Sequence, residues 1–89
     1  MDITAVKIFP VDERKVKAYA SIVLDDCFIV RDLKIINGEN KLFVAMPSKK
    51  MKDGSYRDTV HPLNSSMRQT IESSVLQAYQ DQIAQLEID

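Results

Sequence analysis

Residues 16–36 read VKAYASIVLDDCFIVRDLKII, and they decide the fold. Val16, Ala18, Ala20, Ile22 and Leu24 share one face, while Lys15, Lys17, Tyr19 and Ser21 share the other. A period of two means a half-buried strand. Asp25-Asp26 reads as a hairpin turn, though a weaker one than Asn-Gly. Cys27 to Ile36 then reads as a second long strand, with Phe28 and Val30 on one face and Ile29, Leu33 and Ile35 on the other. Strands of nine or ten residues extend about 30 Å, longer than is typical. A ribbon of that length has apolar faces that a single helix does not cover, which hints at a dimer.

Upstream, Ile3 to Phe9 alternates imperfectly and ends at Pro10, as expected of a strand near a sheet edge. Val11 to Lys15 is polar and reads as a loop. Downstream, Asn37-Gly38 marks a turn. Leu42 to Met46 is short and almost wholly apolar, which predicts a central strand, closed by Pro47 because proline cannot donate to a ladder. Ser48 to Asp58 follows as a loop or small hairpin with Asp53-Gly54 at its tip. His61 is held extended by Pro62.

Asn64, Ser65 and Ser66 are all helix N-cap types, and Ser66 with Gln69 has capping-box spacing. From there Met67, Ile71, Val75, Ala78, Tyr79, Ile83 and Leu86 recur at helical spacing, with Leu76 beside the stripe. A helix of roughly 20 residues spans about 30 Å, the length of the hairpin it would cover. The expected fold class is α+β: an antiparallel sheet of about four strands around a long central hairpin, with one C-terminal amphipathic helix. Tyr79 and Leu86, toward the far end of the helix, are expected to reach past one subunit's sheet into a dimer contact.

The 89 residues are expected to form a single domain, 45% of it apolar. A chain of this size buries only about 60–65% of its unfolded surface, and oligomerisation is a common remedy. No apolar run approaches the roughly 20 residues that span a membrane, and MDITAVKIF does not read as a signal peptide. The expected location is the cytoplasm. The single cysteine, Cys27, excludes an internal disulfide and reads as structural, at a strand start. One His and one Cys argue against a zinc cage, which usually takes four N or S ligands. No metal, cofactor or small-molecule substrate is expected.

Net charge is −1, yet residues 1–64 hold eleven Lys/Arg against nine Asp/Glu, and residues 65–89 hold one Arg against four acids. Lys49, Lys50 and Lys52 form the densest cluster, joined by Arg57 and by Arg68 in the first turn of the helix. One reading is a phosphate-binding surface on a protruding hairpin, with free N–H groups at the helix start adding an anion contact. The other is a solvated lysine-rich turn. A local patch can bind phosphate despite a total near zero, because charge is screened within about 8 Å at physiological salt. Tyr56 could stack on a base, although a hairpin tyrosine more often packs on its own stem. Asp58 and His61 could pair as carboxylate and base, but no nucleophile is placed with them. His61 more simply orders the loop before the helix, and an enzyme is not expected.

The segments LFVAMPSKK, DGSYRD and HPLNSSMRQTIESSVLQAY, with the hairpin ASIVLDDCFIVRDLKIING, closely resemble the SpoVG family, stage V sporulation protein G. The resemblance runs from about Ile3 to Tyr79. It implies a small bacterial dimer with an antiparallel sheet and a C-terminal helix, linked to septation and sporulation and acting as a pleiotropic regulator elsewhere. Family members are described as site-specific DNA-binding proteins, and some also bind RNA. The nucleic-acid surface that the resemblance implies comprises Lys49, Lys50, Arg57 and Arg68, with Lys52 in a more variable part of the loop. Where many members have Gly before the LFVAMPS strand, this chain has Lys41, an added cation. The resemblance tips the basic loop toward binding. A septation-associated protein-interaction module, without nucleic-acid binding, is the alternative.

Overall fold

A computed structural model describes residues 1–88, and for Leu86, Glu87 and Ile88 the backbone alone. Six strands precede one helix: β1 Ile3–Pro10, β2 Val16–Leu24, β3 Phe28–Asn37, β4 Leu42–Ala45, β5 Ser48–Lys50, β6 Tyr56–Asp58 and α1 Ser65–Ile88. β1 to β4 form an antiparallel sheet in sequence order, and β5 with β6 forms a separate two-stranded sheet. The α+β architecture is as the patterning predicts, and β1 is an edge strand. β4 is not central: it lies at the other edge. An all-apolar run suggests burial on both faces, but β4 buries Val44 and leaves Phe43 exposed. The connection after Asn37 is tight, with Gly38 N–H donating to the Lys41 carbonyl at 3.0 Å. A Cβ on Gly38 would stand 2.9 Å from that same oxygen and 3.1 Å from the Phe43 ring, so glycine is required there by close approach.

The central hairpin turns through Asp25, Asp26 and Cys27. Both aspartates are left-handed, with φ of 51° and 55°, and Cys27 N–H closes the turn onto the Leu24 carbonyl at 3.0 Å. Cys27 is exposed in this turn, so its backbone shapes the hairpin and its thiol packs in no core. The Asp25 carboxylate accepts the Asp2 N–H at 2.8 Å, which fastens the start of β1 to the turn. Asp26 offers only its backbone, to the Thr4 hydroxyl. Left-handed backbone costs an L-residue about 1–2 kcal/mol, less for Asp, and glycine's extra unfolded-state entropy offsets part of any relief. Asp26→Gly is therefore expected to stabilise by about 0.5 kcal/mol, raising Tm by about 2–4 °C for a domain of this size. A thermal melt showing a lower Tm would contradict this.

On β3 the simple alternation fails for a specific reason. Ala20 pairs with Leu33, and Ile22 pairs with Val30, so two steps along β2 match three along β3. The extra residue lies at Arg31-Asp32, where Asp32 has φ 67°. Such a bulge reverses which parity faces the core. Val30, Leu33 and Ile35 are thus all buried on the helix side, and Ile29 is left 43% exposed on the opposite face. The expected split of Val30 from Leu33 and Ile35 does not occur.

The core is Ile8 from β1, Ala18, Ala20, Ile22 and Leu24 from β2, Val30, Leu33 and Ile35 from β3, and Val44 with Met46, closed by Ile71, Val75 and Tyr79 of α1. Ile71, Val75 and Tyr79 are four residues apart and lie on one helical stripe. Tyr79 is buried against its own sheet, so it does not reach beyond the subunit as expected. The Leu86 side chain lies outside the described residues. Gln82 Nε2 donates to the Ile8 carbonyl at 3.4 Å, which ties the later helix to β1. The helix begins at Asn64, whose Oδ1 accepts the Met67 N–H at 2.8 Å. Asn64 is thus the N-cap among the three candidates. Ser66 sits within the first turn, its carbonyl accepting the Thr70 hydroxyl.

The sheet face away from the helix carries Phe9, Tyr19, Val23, Ile29, Ile36 and Phe43. Phe9 pairs with Tyr19, Val23 with Ile29, and Ile36 with Phe43, so these apolar groups stand in rows. Phe9, Ile29 and Phe43 are exposed.

Candidate nucleic-acid interface

Pro47 ends the fourth strand, and its carbonyl accepts both the N–H and the hydroxyl of Thr59, at 2.8 and 3.2 Å. These bonds pin the two ends of the segment, and between them β5 and β6 pair as a hairpin. Lys49 stands opposite Arg57 and Lys50 opposite Tyr56. The tip is a type I turn followed by a left-handed residue, a common three-residue hairpin loop. Gly54 N–H bonds the Met51 carbonyl at 3.0 Å, Met51 N–H bonds the Ser55 carbonyl at 2.7 Å, and Gly54 has φ 90°. Asp53 Oδ1 accepts the Ser55 hydroxyl at 2.6 Å and the Ser55 N–H at 2.9 Å. Those bonds, the hydroxyl's first, hold the Asp53 carboxyl below the usual carboxylate range. A lowered value means the bonds support the tip above the ordinary range and are lost as pH falls through the lowered one.

Every residue of β5 and β6 is exposed. Lys49 and Arg57 are a cross-strand pair of like charge, an arrangement that destabilises a hairpin by a few tenths to about 1 kcal/mol. An anion lying across the pair would turn this repulsion into attraction.

The five cations fall into two neighbouring groups. Arg57 and Arg68 line one shallow groove between β6 and the start of α1, together with Tyr56, Asp58 and His61. Lys49, Lys50 and Lys52 line a separate shallow surface at the hairpin tip with Met51 and Asp53. The Lys49–Arg57 pair joins the two. Tyr56 does not pack on its own stem: it is 67% exposed. His61 orders its loop locally, because its Nδ1 lies 3.0 Å from the Pro62 carbonyl. A carbonyl only accepts, so Nδ1 carries the proton. Asp58 and His61 share the groove as spacing suggests, with two arginines for neighbours.

The sequence groups Arg57 and Arg68 with the three lysines as one cluster, and the structure divides that cluster into a groove and a tip. That division is tertiary: the Pro47 bonds only add a rung to the β5–β6 ladder, and it is the helix start lying beside β6 that sets Arg68 with Arg57. Among the described residues no three His, Cys, Asp or Glu side chains converge as a metal site would require. No helix among them is long and apolar enough to cross a membrane.

A family profile described as SpoVG matches residues 1–81. The chain is 57% identical over 83 residues to a Bdellovibrio bacteriovorus protein named "Putative septation protein SpoVG", covering 93% of this chain and 77% of that one. The same name is carried by a Myxococcus xanthus protein, 52% identical over 85 residues and covering 96% and 86%. It is also carried by a Clostridioides difficile protein, 46% identical over 89 residues and covering 99% and 97%. The matched span takes in the sheet, the basic hairpin, the groove and the helix through Asp81, and with a profile match over that whole region the chain belongs to the SpoVG family.

Proposed function

We propose that this protein is a dimeric nucleic-acid-binding regulator of septation or developmental gene expression. It would bind DNA, and RNA, through Lys49, Lys50, Lys52, Arg57 and Arg68. The observation that carries the reading is the convergence of Arg57 and Arg68 on one groove, from two different elements, beside a hairpin that sets Lys49 against Arg57. A turn that merely closes a loop gains nothing from like charges held face to face. A surface that meets phosphates does, since each neutralised phosphate releases condensed counterions. The dimer reading draws support from the apolar rows on the uncovered face of the sheet, which suit a second copy of the same face.

The test is the variant carrying Lys49→Ala and Lys50→Ala, titrated with DNA and RNA across a salt series. Weaker binding with a shallower salt dependence is expected. Affinity equal to the parent's at every salt concentration would remove the hairpin from the site. Light scattering should give a mass near twice 10.1 kDa, and a monomer at micromolar concentration would exclude the dimer.

A second reading has one observation in its favour. β4 is an open edge with an exposed aromatic, Phe43, and an exposed edge can accept a partner strand. In that case the protein acts in septation by protein contact. No nucleic acid would be retained at low salt, and a division protein would be captured instead.

A further inference from the structure

Tyr56 is the aromatic residue of the hairpin, and the fold leaves most of its surface in water. Leaving such a ring in water forgoes the burial that usually places aromatics inside. It lies in the groove that holds Arg57 and Arg68, whose charges suit phosphate. Asp58 also lines the groove. A carboxylate there repels phosphate and can only accept hydrogen bonds. Its natural partner is the N–H edge of a base. In a duplex the major groove still offers the amino N–H donors of adenine and cytosine, but the base faces are engaged in stacking. In a single strand those faces are free, and Tyr56 is what makes the distinction.

We infer that the groove of Tyr56, Arg57, Asp58, His61 and Arg68 takes single-stranded nucleic acid. An unpaired base stacks on Tyr56, and the phosphates flanking it meet Arg57 and Arg68. The inference rests on the nucleic-acid reading above and deepens it by naming the ligand class: a strand with at least one unpaired base, not a closed duplex. Base–aromatic stacking tolerates every base, so affinity comes from the ring and the arginines, and Asp58 favours bases that present N–H donors.

The test uses the intact protein and three labelled probes of equal length, namely single-stranded RNA, single-stranded DNA and a blunt DNA duplex, followed by fluorescence anisotropy at fixed salt. The parent should prefer both single strands to the duplex. Tyr56→Ala should weaken single-strand binding roughly 10-fold or more, with duplex binding unchanged, and Tyr56→Phe should restore it, since the stacking face is kept. Circular dichroism of Tyr56→Ala should match the parent, because the side chain lies outside the core. Salt-dependent binding that Tyr56→Ala leaves intact on single strands would overturn this inference and leave the nucleic-acid reading standing. Equal losses on duplex and single strand would also overturn it. No retention of any probe by the parent would overturn both. A difference between the RNA and DNA arms reports whether a 2′-hydroxyl is read.

Discussion

Replacing Leu33 with alanine is expected to cost about 3–4 kcal/mol of stability, within the range for fully buried leucines. Leu33 is 0% exposed and stands opposite Ala20 on β2. Its partner across the sheet is small, and truncation enlarges the apolar cavity that Leu33 lines with Ile22, Met46 and Ile71. A domain of this size has roughly 4–13 kcal/mol in total, so the variant loses a large share of it. Tm should fall by about 15–25 °C. The informative partner is Ile29→Ala. Ile29 and Leu33 have the same parity, and a regular strand would bury them together. The bulge at Asp32 separates them, so as a monomer the Ile29 variant should lose under about 1 kcal/mol. Chemical denaturation of both variants checks the pair, and equal losses would deny the bulge. A loss at Ile29 that grows with protein concentration would instead report that a second copy covers that face.

The second large effect concerns salt. If Lys49, Lys50, Arg57 and Arg68 each neutralise one phosphate of a single strand, log Kobs should fall with log salt with a slope of about −3 for one copy and about −6 for two. Between 50 and 200 mM salt those slopes mean losses of about 60-fold and about 4,000-fold. One titration thus separates a monomeric contact from a dimeric one. Changing all four residues to alanine should bring the slope close to zero. Tm should not fall, because all four side chains are exposed and one repulsive pair, Lys49 with Arg57, is removed. A variant that keeps the parental slope would place the phosphates elsewhere. A variant that unfolds would show the hairpin to be structural.

The central hairpin was legible because its evidence is local. Alternation along Ala18–Leu24 needs only the period of a strand, and the helix stripe from Met67 to Ile83 needs only the period of a helix. Val16 departs from the alternation, because the ladder slips between Val16 and Ala18 and pairs Val16 with Ile36 on the other face. Sheet order is not local. Leu42 to Met46 has the composition of a central strand, and only the absence of a fifth strand beside it in the sheet makes it an edge. The parity change on β3 depends on Asp32 adopting a left-handed backbone, which Asp tolerates without requiring, so no residue announces it. The cap was one of three adjacent candidates, and a single hydrogen bond chose Asn64. At the candidate site, the cations were legible as charge on a loop. Their division into a groove and a tip was not, since it follows from the start of the helix lying beside β6, which no local pattern shows. The exposure of Tyr56 was likewise hidden, because a tyrosine on a hairpin reads the same whether or not it folds back on its stem.

The buried core passes from Met46 to Ile71, and between them only half-buried Met67 is packed against it. The basic hairpin, the groove wall and the helix cap are thus built on chain that the core does not use. Substitutions there can change charge, ring or hydrogen-bonding edge one at a time without a folding penalty large enough to be purged. Such a division lets a lineage keep one scaffold while its surface drifts from target to target, and it makes this segment the natural place to graft a new specificity.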